Sequence, residues 1–95
     1  MAIYSATVAA PAAFGAYNAP DVTIPFQPKR ITIINNDSTL ANYVEFSFQG
    51  DSASTVVHGR VIPTVNAAYE SRQDATKVWF KRAAGTPNVT VIAES

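Results

Sequence analysis

The sequence has no cysteine, a single histidine, four glycines and few charged residues, 15% of the chain, split seven basic against seven acidic. Without cysteine there is no disulfide framework, no thiolate metal site and no cysteine nucleophile. One imidazole falls short of the four Cys/His ligands that a structural zinc site normally takes. A balanced charge argues against a protein that neutralises many phosphates or lies on an anionic membrane. No apolar run approaches the ~18–20 residues needed to span a bilayer. No Lys or Arg precedes Lys29, so the charged start of a secretory signal is missing and synthesis in a cytoplasm is expected. A length of 95 residues suits one domain with one thin core.

Hydrophobic residues are plentiful, 47% of the chain, and composition divides them into two regions. Residues 1–28 carry no charge except Asp21, hold eight alanines and are punctuated by Pro11, Pro20, Pro25 and Pro28. Proline fixes φ and biases the preceding residue toward extended geometry, so this segment reads as an extended N-terminal arm with a short edge strand over Ile3–Ala9. Its apolar side chains Ile3, Tyr4, Val8, Phe14 and Tyr17 are unusual for a free tail, because disordered segments are poor in aromatics and rich in charge. Two readings follow: the arm packs on its own domain, or it lies along a neighbouring subunit.

Residues 29–95 read as short strands with period-two alternation, bounded by turn residues. Arg30–Asn35 puts Ile31 and Ile33 on one face and Thr32 and Ile34 on the other. Asn35-Asn36-Asp37-Ser38 supplies the side-chain-to-backbone bonds of a turn. Over residues 43–49, Val44, Phe46 and Phe48 oppose Tyr43, Glu45, Ser47 and Gln49. Residues 55–62 follow, with Gly59 a candidate bulge or close-approach site. Residues 66–72 fit a strand or one helical turn. Lys77–Arg82 points Val78 and Phe80 inward against Lys77, Trp79 and Lys81, and residues 89–93 align Val89, Val91 and Ala93. Strands every ~8–12 residues with turn signals between them predict an all-β fold, a compact antiparallel β-sandwich of jelly-roll type.

Catalytic templates fail on residue supply. A serine hydrolase needs a base and a group orienting it, yet His58 stands in a strand context without a nucleophile-elbow pattern. The Asn35–Ser38 cluster lacks the spacing of a calcium loop and its distal glutamate. Gly15, Gly50, Gly59 and Gly85 are isolated and do not form a phosphate-cradling loop. No carboxylate pair is singled out by its setting. Lys77, Trp79 and Lys81 on one strand face have the form of a stacking platform for nucleic acid, but a single such strand in a chain of zero net charge more simply keeps an edge soluble. The expectation is therefore no enzyme, no cofactor, no metal, no nucleic acid and no membrane. What remains is apolar surface on the outward side of the strands: Ile34, Tyr43, Trp79 and Ile92.

From Phe26 to Ala93 the order of segments resembles small virion structural proteins of tailed bacteriophages, above all capsid decoration proteins. The residues that carry it are Lys29-Arg30-Ile31-Thr32-Ile33, Val44-Glu45-Phe46-Ser47-Phe48-Gln49-Gly50, His58-Gly59-Arg60-Val61-Ile62-Pro63, Tyr69-Glu70-Ser71-Arg72, Lys77-Val78-Trp79-Phe80-Lys81-Arg82 and Asn88-Val89-Thr90-Val91-Ile92-Ala93. It is a loose order of strands without a signature motif. The resemblance implies a non-enzymatic protein of the capsid surface that clamps a lattice of major capsid subunits, with a homo-oligomer, a trimer above others, as its own state. On that expectation Ile3, Tyr4, Phe14 and Tyr17 dock the arm, and Tyr43, Trp79 and Ile92 touch neighbouring subunits. The alternative is a carbohydrate- or receptor-binding module of a tail or fibre that stacks sugars on Tyr43, Tyr69 and Trp79.

Overall fold

The computed structural model of the chain describes residues 2–16, 18–49, 57–66, 68–71 and 75–95. Eight strands run in the order β1 (Ile3–Ala9), β2 (Val22–Thr23), β3 (Arg30–Asn35), β4 (Val44–Ser47), β5 (Gly59–Val61), β6 (Ala68–Ser71), β7 (Lys77–Arg82) and β8 (Asn88–Glu94), and no helix occurs among the described residues. They form two four-stranded antiparallel sheets, β1-β8-β3-β6 and β2-β7-β4-β5. The pairings are nested: β1 with β8, β2 with β7, β3 with β6 and β4 with β5. The chain thus doubles back as one long ribbon whose successive pairs alternate between the sheets, which is the jelly-roll winding of a β-sandwich.

Period-two alternation explains why these segments are strands. β8 buries Val89, Val91 and Ala93 and turns Thr90, Ile92 and Glu94 outward; β3 buries Ile31, Ile33 and Asn35. The opposing sheet supplies Val44, Phe46, Val61, Val78 and Phe80, all fully buried. Each such side chain contributes roughly 1.5–3 kcal/mol by leaving water, so this two-layer core is the main source of stability. At Gly59 the Phe46 ring occupies the space a Cβ would need, at 2.7 Å, which makes this the close approach that an isolated strand glycine signals. Residues 68–71 settle as a strand, with Tyr69 turned in against Phe46 at a ring separation of 4.5 Å.

One polar side chain enters the core for a structural reason. Asn35, at the end of β3, donates to the carbonyls of Asn42 and Val61, both at 3.0 Å, and accepts the Asp37 N–H at 2.9 Å. Asp37 in turn accepts the Thr39 N–H at 2.7 Å, which completes the expected turn. The pin ties the β3–β4 connection to β5 across the top of the sandwich.

The N-terminal segment is extended, as its prolines require, and packs on its own chain. β1 pairs with β8 along its whole length, with Tyr4, Ala6 and Val8 against the core. Beyond it the chain follows the open side of β7: the Arg82 N–H donates to the Pro11 carbonyl at 2.8 Å, the Arg82 guanidinium to the Ala10 carbonyl at 2.9 Å, and Asp21 accepts the Phe80 N–H at 2.7 Å. β2 then adds two residues, confined between Pro20 and Pro25. The boundary at residue 28 marks a change of composition and does not separate the sheets.

Candidate functional site

The outer face of the β1-β8-β3-β6 sheet is built from the residues that alternation leaves outside. Ladder register sets them in rows: Ile3, Glu94 and Arg30; then Ser5, Ile92, Thr32 and Glu70; then Thr7, Thr90, Ile34 and Ala68. Ile3, Ile92 and Ile34 are diagonal neighbours and form an apolar stripe across three strands, with Ile3 66% exposed. Two of the hydroxyls beside the stripe are satisfied sideways. Thr7 and Thr90 share a 2.9 Å hydrogen bond, and the Asn36 amide donates to Thr90 at 2.8 Å. Charge on this face is gathered in one corner, where Arg30 bridges Glu94 at 2.8 Å and Glu70 at 3.3 Å. A flat surface of isoleucine, threonine and alanine costs little to desolvate, because no unpaired charge is stripped of water when it is covered.

The second sheet presents its outer face differently. Trp79, expected to face outward and touch a neighbour, is on the outward side of β7 yet only 1% exposed. Residues of the β1–β2 connection lie over it: the indole N–H donates to the Ala16 carbonyl at 2.9 Å, and at Gly15 the Ala19 carbonyl oxygen occupies the space a Cβ would need, at 2.6 Å. A covered indole offers no face for a subunit contact, a nucleobase or a sugar. Ser47, also expected outside, is buried beside it, with its hydroxyl bonded to the Gln49 carbonyl at 3.0 Å. Tyr43 does face outward but lies half-buried under Arg60, whose guanidinium is 5.3 Å from the ring centre and 3.5 Å from Glu45.

The seven expected contact residues therefore separate. Ile3 and Ile92 come together on the open face of the first sheet. Tyr4 points inward from β1, Phe14 is half-buried in the β1–β2 connection, Tyr43 and Trp79 belong to the other sheet, and Tyr17 lies outside the described residues. The sugar-stacking trio is not assembled either, since Tyr69 packs on Phe46 inside and Trp79 is covered.

Two further apolar residues stand at the end of the sandwich where the β1–β2, β3–β4, β5–β6 and β7–β8 connections gather. Leu40 is 54% exposed and Val65 70%. Val65 follows Thr64, whose φ of 66° is a left-handed conformation that a β-branched residue rarely adopts. Asn66 holds this turn closed, its side chain accepting the Ile62 N–H and donating to the Arg60 carbonyl, both at 3.0 Å. The signal in the sequence was an apolar residue inside a turn, out of phase with either neighbouring strand. His58 is exposed, and its Nδ1 accepts the Phe48 N–H at 3.1 Å. Among the described residues no group of three His, Asp or Glu side chains could hold a metal. In comparison with known proteins, no protein-family model and no curated protein matches the chain.

Proposed function

We propose that this is a non-enzymatic structural protein of a virion, one that binds the outside of a capsid shell and stabilises it by bridging major capsid subunits. The observation that carries the reading is the outer face of the first sheet, where Ile3, Ile92 and Ile34 form one stripe beside the laterally bonded Thr7 and Thr90, with charge confined to the Arg30–Glu94–Glu70 corner. A surface of this kind suits repeated contact with a lattice of protein, whereas a glycan or a nucleic acid calls for exposed rings or clustered cations. The jelly-roll winding supports the same class, since it recurs in viral capsid proteins, although fold alone does not assign function. By this reading the protein is made in the host cytoplasm and joins the shell after it has formed. It stabilises the assembled state by mass action, because it binds that state and not free subunits.

The test is co-sedimentation of the purified chain with assembled shells and, separately, with unassembled major capsid protein. Binding to shells alone, lost in Ile92→Lys while the variant's circular dichroism is unchanged, is the expected result. Saturable binding to glycans with no affinity for shells would replace the proposal with the receptor-binding alternative.

A further inference from the structure

A sheet of four strands has two edges, and natural proteins blunt such edges with brevity, charge or proline. Three of the four edges here are blunted in those ways. β2 has two residues, between Pro20 and Pro25; β5 has three residues and carries Arg60; β6 has four and carries Glu70. The fourth edge, β1, has seven residues, Ile-Tyr-Ser-Ala-Thr-Val-Ala, without a charge, a proline or a glycine.

The ladder also fixes which backbone groups β1 leaves open. The Ala10 N–H donates to the Pro87 carbonyl and the Ser95 N–H to the Ala2 carbonyl, which places the even-numbered residues in the hydrogen-bonded pairs with β8. The N–H and C=O groups of Ile3, Ser5, Thr7 and Ala9 therefore point away from the sheet, and no hydrogen bond reaches them from the described residues. The side chains of these four residues are exposed, so nothing overhangs the edge from the outer face.

We infer that β1 is an interface strand that pairs antiparallel with β1 of a second copy of this chain, about a two-fold axis through Ala6. In that register Ile3 exchanges hydrogen bonds with the partner's Ala9, and Ser5 with the partner's Thr7, so all four open residues of each copy are used. On the inner side Tyr4 meets the partner's Val8, and Ala6 meets the partner's Ala6, so two half-covered edges close each other. The occupant is a second copy because the strand is self-complementary in charge and size: nothing on it repels its own image, and the bulky Tyr4 falls opposite the medium Val8. The antiparallel sense also keeps the two Glu94 carboxylates at opposite ends of the pair. The two sheets become one of eight strands, with the isoleucine stripes of both copies on a common outer face. This interface is isologous and two-fold, whereas the resemblance to decoration proteins implies a trimer. It stands whether or not the protein coats a capsid.

The experiment is light scattering on a sizing column with the full chain over a hundredfold range of concentration, repeated with Ser5→Pro and Ser5→Lys. The Ser5 N–H points away from β8 and its side chain lies on the exposed face, so neither change breaks the β1·β8 ladder. The expected result is a concentration-dependent dimer for the natural chain and a monomer for both variants, with near-ultraviolet circular dichroism unchanged. If Ser5→Pro loses its fold, Ser5→Lys alone decides. A natural chain that stays monomeric throughout, a trimer, or a dimer that survives Ser5→Lys would overturn the inference.

Discussion

On the second sheet an outward tryptophan is buried under the chain's own β1–β2 connection; on the first, outward isoleucines on three adjacent strands keep contact with solvent, Ile3 exposed and Ile34 and Ile92 half-buried. The difference lies in the path of one connection. The β1–β2 segment must cross from one sheet to the other, and it does so along β7, where Arg82, Trp79 and Phe80 each hold it by a hydrogen bond. No comparable segment among the described residues crosses the first sheet. An outward apolar side chain therefore says which face a residue occupies, and the route of the connections decides whether that face is core or interface.

Cutting away the cover breaks the comparison most severely. Deletion of residues 2–20 removes all of β1 and the lid over Trp79, so the chain should lose cooperative unfolding by circular dichroism altogether. An intact, sharp transition would mean that the segment is an accessory arm after all. Side-chain truncation sharpens the contrast without removing backbone. Trp79→Ala should cost about 3–5 kcal/mol, as expected for a fully buried ring, and Ile92→Ala on the open face less than ~1 kcal/mol, both from urea midpoints. Equal costs would show that something of this chain covers both faces alike.

The smallest effect concerns pH and separates two carboxylates, Asp21 at the end of the covering segment and Asp37 in the β3–β4 connection. Burial pushes the Asp21 carboxyl above the usual carboxylate range, against the opposing hydrogen bond from Phe80. The folded state then binds its proton more tightly than the unfolded chain does, so the stability linked to that proton is lost as pH rises from ~3.9 through the folded value. Asp37 is held low, first by the Thr39 N–H and then by the Asn42 amide, so its contribution is present above ~3.9 and lost as pH falls through the folded value. Asp21→Asn and Asp37→Asn should therefore tilt the curve of stability against pH in opposite directions; tilts of the same sign would contradict these environments.

Much of the fold was legible in the sequence. β1, β3 and β7 have the expected bounds, because each is a run of alternating or β-branched residues between turn formers. β2 was not, since two residues between prolines are too few to show a period. The inward turn of Tyr69 and the burial of Trp79 escaped for a different reason. Alternation assigns parity within one strand and carries no information about which distant segment lies above it. For the same reason Ile92 was identifiable as outward and Ile3 only as an apolar residue of the arm, while their adjacency depended on a pairing between opposite ends of the chain.

The nesting of the strand pairs also orders the entropic cost of folding. β4 and β5 are neighbours in sequence, β3 and β6 lie further apart, β2 and β7 further still, and β1 meets only β8. Loop closure grows costlier along that series, so contacts accrue from the central hairpin outward and the β1·β8 ladder closes last. During synthesis Ile3–Ala9 emerges first and waits, unpaired on both sides, until Glu94 has left the ribosome. A seven-residue strand without a charge thus spends the longest time exposed, and crowded nascent chains would meet there before any of them had finished folding.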